Sequence, residues 1–201
     1  MAPALPAQGY RFAANGGATF VRLLRSGPTG SDQLSGVMAS GTGRISLGRF
    51  DLDLGYLEGQ LSPHGSASRP QDLAEGEVLL NVRPLSWAVL SAGPHARAII
   101  RGGVTERWLY WEGRARAEAA LADQGARGYV AVWHTVGGNV TNAAGPFGQA
   151  QGGEAGLKLR FPRSPVWLRL SYTIERARLA SGLGFDTVEG LTAFLGVGAD
   201  R

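Results

Sequence analysis

The chain has 201 residues, no cysteine and a formal net charge of +4. This length suits one domain that buries a core or closes a barrel. The lack of cysteine excludes a disulfide framework, a thiolate metal site and a cysteine nucleophile. The basic residues are mixed with acidic ones and form no stripe interleaved with aromatic residues, so we expect no nucleic-acid partner. No apolar stretch reaches the roughly 20 residues of a membrane-spanning helix.

The N-terminus is predicted to be separate from the fold. Residues 1–8 read M-A-P-A-L-P-A-Q, and small residues and prolines of this kind precede signal-peptide cleavage, expected here after Ala7. We expect residues 1–16 to be a residual leader or N-terminal segment, and residues 17–201 to form a single β-barrel domain. A short disordered N-terminus is the alternative interpretation.

Alternating apolar and polar positions predict about ten strands, because successive side chains of a strand point to opposite faces. Pro94 interrupts one of them, so we expect a β-bulge at Gly93–Pro94. In chain order the predicted strands are Phe20–Arg25, Val37–Leu47, Phe50–Leu61, Glu75–Arg83, Trp87–Arg101, Arg107–Leu121, Gly128–Val136, Glu154–Phe161, Trp167–Leu179 and Val188–Val197.

The segment from Trp108 to Ala119 shows the alternation most clearly. Charged residues fill positions 112, 114, 116 and 118, and glycine or alanine fills positions 113, 115, 117 and 119. Ala, Glu and Arg favour helices, but on a helix these charges would scatter around the axis and leave no apolar stripe. The period of two therefore predicts a strand.

The predicted connections alternate in length along the chain. Short turns are expected near residues 48, 84, 123 and 163, and mostly longer loops near residues 27–33, 62–72, 102–105, 137–148 and 181–186. A barrel with an even number of consecutive antiparallel strands collects the short turns and both termini at one rim, and the loops at the other. The predicted fold is therefore all-β, an up-and-down antiparallel transmembrane barrel of about ten strands.

Three features indicate that the apolar faces meet lipid. These faces are rich in small residues, such as Ala115 and Ala117, that would leave a soluble core underfilled. Arg and Glu alternate on the polar faces, as a narrow lumen with paired charges requires. Aromatic residues cluster near strand ends, where Trp and Tyr anchor a membrane interface. The predicted interface residues are Trp87, Trp108, Tyr110, Trp111 and Trp167.

From about Ala18 to Val197 the chain resembles the small bacterial outer-membrane β-barrels in architecture. The resemblance implies a location in the bacterial outer membrane, with the lipid bilayer as partner and lipopolysaccharide as a candidate contact. We expect a monomer. We expect neither a cofactor nor a metal, because no His, Asp and Glu residues have ligand spacing.

The charged residues of the polar faces are expected to form a packed ionic plug or a very narrow passage, because open aqueous channels need more strands. The predicted lumen residues are Glu75, Glu77, Arg83, His95, Arg97, Glu112, Arg114, Arg116, Glu118, Glu154, Lys158, Arg160, Arg169 and Glu175.

These features favour a structural or adhesive protein, or a largely plugged channel, and we expect no catalytic residues. One alternative is a soluble ligand-binding barrel with an apolar interior. Another is an outer-membrane lipid hydrolase that uses His134 or His95. Lipid A deacylases carry a His and a Ser two residues apart on one strand, whereas Val136 follows His134 at that distance.

Overall fold

A computed structural model describes residues 10–27, 30–64, 69–122, 125–143, 145–180, 182 and 184–198. These residues form ten antiparallel strands that close into one up-and-down barrel, which confirms the predicted fold class. The strands are β1 (Arg11–Gly27), β2 (Gly30–Leu47), β3 (Phe50–Pro63), β4 (Gln71–Leu85), β5 (Ala88–Arg101), β6 (Val104–Ala122), β7 (Ala126–Thr141), β8 (Phe147–Arg160), β9 (Val166–Leu179) and β10 (Phe185–Gly198).

The barrel closes because β1 pairs with β2 on one side and with β10 on the other. β1 begins at Arg11, well before the predicted start at Phe20. Small residues occupy most of this first part of β1, so its alternation of hydrophobicity is weak, and the two neighbouring strands hold it in place. Residues 11–16, expected in the N-terminal segment, therefore belong to the barrel. The expected cleavage after Ala7 lies outside the described residues.

The start of β1 and the end of β10 lie at the same rim of the barrel. This rim also carries the connections between β2 and β3, β4 and β5, β6 and β7, and β8 and β9, and we call it the short-turn rim. The opposite rim is called the loop rim. Residues 30–33 and 137–141, predicted as loop, lie in β2 and β7 instead. The sequence of these residues is polar and glycine-rich, so it lacks the alternation of apolar side chains that predicts a strand. Backbone pairing with a neighbouring strand needs no apolar side chain. Among the described residues, no helix is long and apolar enough to cross a membrane.

The bulge expected at Gly93–Pro94 is wrong. β4 and β5 keep one register on both sides of Pro94, from Glu77 opposite His95 to Leu80 opposite Ala92. Gly93 accommodates the proline by close approach, since a Cβ at this position would collide with the carbonyl oxygen of Val78. Register shifts occur at other places. One lies between Val82 and Leu85, where β4 pairs with β5, and another lies between Trp111 and Glu112, where β6 pairs with β7.

We expect Gly93→Ala to destabilise the barrel by roughly 1–3 kcal/mol, because the added methyl group has to displace backbone. Gly113→Ala is the matched control, since a Cβ at Gly113 meets no atom within 4 Å. The measurement is the free energy of unfolding in detergent micelles, with heat-modifiable gel mobility as the check of folding. Equal stability of the two variants would contradict the close approach at Gly93.

Candidate functional site in the barrel interior

The outer wall of the barrel is an apolar belt. Large apolar side chains project outward from strands all around the barrel, and Leu54, Leu80, Val132, Leu170 and Leu195 are each 43–63% exposed. An apolar surface that continues around the whole barrel is not stable in water. The wall therefore faces lipid, and the alternative of a soluble barrel with an apolar interior is wrong.

A polar ring borders the apolar belt on the side of the loop rim. Arg22 follows the outward Phe20 on β1, Glu58 follows Tyr56 on β3, and Arg176 follows Ile174 on β9. The ring comprises Arg22, Glu58, Asp72, Arg107, Arg176 and Glu189. Charged side chains are costly in the hydrocarbon core, so this ring marks the boundary of the bilayer on this side.

The sense of the alternation reverses at the polar ring. Below it, toward the short-turn rim, apolar side chains point outward and polar ones inward. Beyond it a group of inward side chains is apolar, followed nearer the rim by the ion pairs of Arg25 with Glu106 and Asp186, and we call the apolar group the loop-side cluster. It consists of Val21, Leu23, Leu34, Met38, Leu61, Leu73 and Ile99, each at most 2% exposed. The end of the barrel that leaves the bilayer is thus built like a water-soluble barrel, with an apolar core.

Below the loop-side cluster lies a layer of buried ion pairs, the charged layer. The guanidinium of Arg97 is 2.5 Å from Glu75 and 2.8 Å from Glu175. Tyr110 and Trp133 also donate hydrogen bonds to Glu175, at 3.1 Å and 2.9 Å. Glu175 is therefore surrounded by donors, which offset the cost of removing a carboxylate from water.

Two further arginines complete the charged layer. Arg169 is 2.5 Å from Glu154 and donates a second hydrogen bond to the hydroxyl of Tyr129, which itself donates to Glu154. Arg114 is 3.0 Å from Glu77 and 2.8 Å from Glu112. Each guanidinium thus serves more than one acceptor, which its planar set of donors favours.

A second set of ion pairs lies nearer the short-turn rim. Glu118 is 2.5 Å from Arg116, 3.8 Å from Arg83 and 3.5 Å from Arg127. Arg44 forms a bidentate pair with Asp53, with both contacts at 2.6 Å. The aspartates of β3 therefore face the lumen as well, and their period-two spacing with Gly55 was the sequence signal that could have placed them there.

Small cavities lie between these side chains. A cavity of about 170 Å³ lies between the loop-side cluster and the charged layer, and one of about 110 Å³ lies toward the short-turn rim. The side chains of Glu77, Arg114, Glu154 and Arg169 line both cavities. The two cavities therefore adjoin each other at the charged layer.

Comparison with known proteins supports the same architecture. No protein-family profile and no curated protein matches the chain. Among solved structures, the translocator domain of the autotransporter NalP from Neisseria meningitidis has a TM-score of 0.50 and 11% identity, covering 96% of this chain and 89% of that domain. The chain has the fold of the bacterial outer-membrane β-barrels. In this fold the short turns face the periplasm and the loops face the cell exterior. The apolar belt places the barrel in a membrane.

Other structures of the same kind are less similar. Neisserial surface protein A has a TM-score of 0.45 and 11% identity, covering 94% of this chain and 98% of that one. The toluene transporter TodX of P. putida has a TM-score of 0.37 and 12% identity, covering 92% of this chain and 67% of that one.

The outer-membrane barrel places nearly all the predicted lumen residues at inward positions. His95 lies 3.8 Å from Glu75 and 3.7 Å from Glu112, with its ring stacked on Tyr110. Lys158 sits with its ammonium 4.9 Å from the centre of the Trp167 ring. Arg160 differs, because it is exposed at the end of β8 beside the short-turn rim.

Three of the five predicted interface aromatics do not face the membrane. Trp108, Tyr110 and Trp167 are at most 3% exposed and lie inside the barrel, so for them the prediction is wrong. Trp87 and Trp111 project outward and are 54% and 57% exposed.

The sequence contained the signal that separates these two groups. Trp108 and Tyr110 are in phase with Glu112 and Arg114, whereas Trp111 is out of phase. Inward aromatics also lie against glycines: a side chain at Gly196 would collide with the ring of Trp167. Phase within the strand, and not nearness to a strand end, decides which way an aromatic points.

The three histidines lie in different places. His134 is exposed on the outer face of β7, whereas His95 is 8% exposed in the lumen. His64 is bonded to the Ser35 hydroxyl at 2.8 Å near the loop rim. The two histidines considered for a hydrolase therefore lie on opposite faces of the wall and share no site.

The apolar belt predicts a depth-dependent cost for an added charge. Leu170→Arg, at the middle of the apolar stretch of β9, should lower the free energy of unfolding by roughly 2–4 kcal/mol. Leu121→Arg, at the short-turn rim, should cost at most about 1 kcal/mol. Reversible unfolding in lipid vesicles measures both, and similar costs at the two sites would argue against the assigned boundaries of the belt.

The charged layer predicts a large cost for removing one partner of a buried ion pair. Glu154→Gln leaves Arg169 buried without its counter-ion and should destabilise the barrel by roughly 3–5 kcal/mol. Glu189→Gln, which removes the exposed pair with Arg22 at 3.6 Å, is the control and should cost less than about 1 kcal/mol. The double variant Glu154→Gln/Arg169→Met should regain part of the loss. No regain would contradict a penalty from uncompensated charge.

Proposed function

We propose that this outer-membrane barrel is a closed, non-enzymatic surface protein with a structural or adhesive role, and that it is not an open solute channel. The observation that carries the proposal is that two layers of buried side chains occupy the lumen. Beyond the membrane the loop-side cluster packs against the inner faces of β1 to β5, and within the membrane the charged layer extends into the lumen from several strands. Steady passage of solute would require both layers to move.

Opening either layer would be costly. The leucines of the loop-side cluster are fully buried, and fully burying one such side chain is worth roughly 1.5–3 kcal/mol. The arginines of the charged layer each contact one or two carboxylates, and separating a buried pair exposes charge to an environment that solvates it poorly. A small barrel with these contents has no room for an aqueous channel.

The end of the barrel beyond the polar ring is the part available to a partner. A rim cavity of about 370 Å³ is lined by Arg25, Asp32, Glu106, Asn142 and Asp186, among others. Arg25 is 2.7 Å from Glu106 and 3.0 Å from Asp186, so the floor of this cavity is an ordered ionic cluster. A polar rim of this kind suits adhesive or partner contacts.

Lipopolysaccharide is the proposed lipid contact, with the barrel acting as a monomer. Arg176 and Arg178 project from the outer face of β9 at the level of the polar ring, and Arg22 does so from β1. Phosphate groups of the lipid lie at this boundary, and guanidinium groups bind phosphate in a bidentate manner.

Electrical recording in planar bilayers tests the closure. The wild-type barrel should show no long-lived steady openings, because both layers block the lumen. Leu23→Ala/Leu73→Ala, which thins the loop-side cluster, should raise the ionic leak. Leu80→Ala/Leu195→Ala on the outer wall is the matched control and should leave the leak unchanged. Steady large-conductance openings of the wild type would contradict the proposal.

A further inference from the structure

Three potential metal ligands meet inside the lumen, on β4, β5 and β6. Glu77, His95 and Glu112 each offer a ligand atom, and these atoms all lie within 4.8 Å of one another. Their spacing in the sequence gave no hint of this, because the register between adjacent strands brings them together: Glu77 pairs with His95, and Glu112 lies two residues from Tyr110, the partner of His95 on β6. His95 Nδ1 and Glu112 Oε2 are 3.7 Å apart. Ligand atoms of a tetrahedral zinc ion lie roughly 3.3 Å apart, given bonds of about 2.0–2.1 Å.

The buried polar atoms of this cluster are incompletely satisfied. Neither ring nitrogen of His95 has a hydrogen-bond partner, and neither does Oε2 of Glu112. His95 is 8% exposed and Glu112 1% exposed. A buried polar atom without a partner costs roughly 1–3 kcal/mol, so three of them at one point indicate that a further group belongs there.

The charge of the cluster points to a divalent cation. Around His95, two guanidiniums serve four carboxylates, which leaves two negative charges in excess when the imidazole is neutral. The ion pairs that define this count are those of Arg97 with Glu75 and Glu175, and those of Arg114 with Glu77 and Glu112. Uncompensated charge is costly inside a protein, and one divalent ion would neutralise the excess.

We propose that Glu77, His95 and Glu112 bind one divalent transition-metal ion of the zinc type inside the barrel. Imidazole and carboxylate together suit this class of ion. The cavity of about 170 Å³ is lined by Glu77 and His95, and it supplies space for a water molecule as the fourth ligand. The site is independent of the proposed adhesive role.

The neighbouring side chains orient the ligands. His95 Nε2 faces Glu75 Oε2 at 3.8 Å, so a proton on Nε2 can point to Glu75 while Nδ1 faces the ion. A carboxylate behind a histidine ligand fixes the ring and strengthens binding. Arg114 contacts Oε1 of Glu112, which leaves the unpartnered Oε2 for the metal. Glu75 and Arg114 are therefore positioning residues.

The test is metal content after refolding. The full chain is refolded from denaturant into detergent with Zn²⁺, desalted, and analysed by mass spectrometry of the metal. The wild type should retain about one ion per barrel, held by three protein ligands and a water molecule. Refolding with Co²⁺ should give the visible absorption of a tetrahedral ion. A wild type that retains no stoichiometric metal overturns the proposal, because a protonated imidazole, and not a metal ion, would then face the carboxylates.

Variants locate the ion. His95→Gln and Glu112→Gln should abolish retention of Zn²⁺, and Glu75→Gln should weaken it about 10–100-fold. Should the other variants fail to fold, Glu77→Gln removes a ligand charge at a smaller cost to folding, since the Glu77 side chain is 23% exposed. This variant should also retain less Zn²⁺ than the wild type. His134→Gln and His64→Gln are the matched controls and should retain the ion. Retention by folded His95→Gln, or loss in His134→Gln, would overturn the assignment.

Discussion

The structure depends on one constraint, that no backbone hydrogen-bonding group can remain unpaired in lipid. Ten strands satisfy it only if the first pairs with the last, and β1 does so with β10 along nearly its whole length. Closure gives every strand an inside and an outside. The period of two then places each side chain either on the outer face or in the lumen. The phase of a residue along its strand therefore decides on which side of the wall its charge or apolar group lies.

Inside the membrane-spanning part, the lumen is too narrow to surround its charges with bulk water. The charged side chains form ion pairs with one another instead. Arg97, Arg114 and Arg169 donate hydrogen bonds to carboxylates and to a tyrosine hydroxyl, and an indole NH donates to the carboxylate of Glu175. The aromatic rings fill the remaining volume over glycines of neighbouring strands. This packing explains why the chain combines so much glycine with few but strictly placed charges.

The reversal at the polar ring explains how the barrel ends. Strands that continue past the bilayer have water on their outer face. Polar side chains on the outside and apolar side chains on the inside are therefore the stable arrangement there, as in soluble proteins. Arg22 and Arg176 turn outward while Leu23 and Ala177 turn inward. The loop-side cluster that results is the apolar core of the projecting end.

The sequence by itself determined the strand number, the sense of the alternation in the membrane and most of the inward charges, because all three follow from a local period of two. It did not reveal the start of β1 or the strand ends near residues 30 and 140, where small and polar side chains are held by pairing alone. Nor did it assign Trp108, Tyr110 and Trp167 to the lumen, although their phase carried that information. Only the tertiary structure decided that Glu77, His95 and Glu112 meet, that Glu175 accepts bonds from three different strands, and that the apolar face turns inward beyond the polar ring. These depend on the register between strands and on the depth of the bilayer boundary, which no single strand encodes.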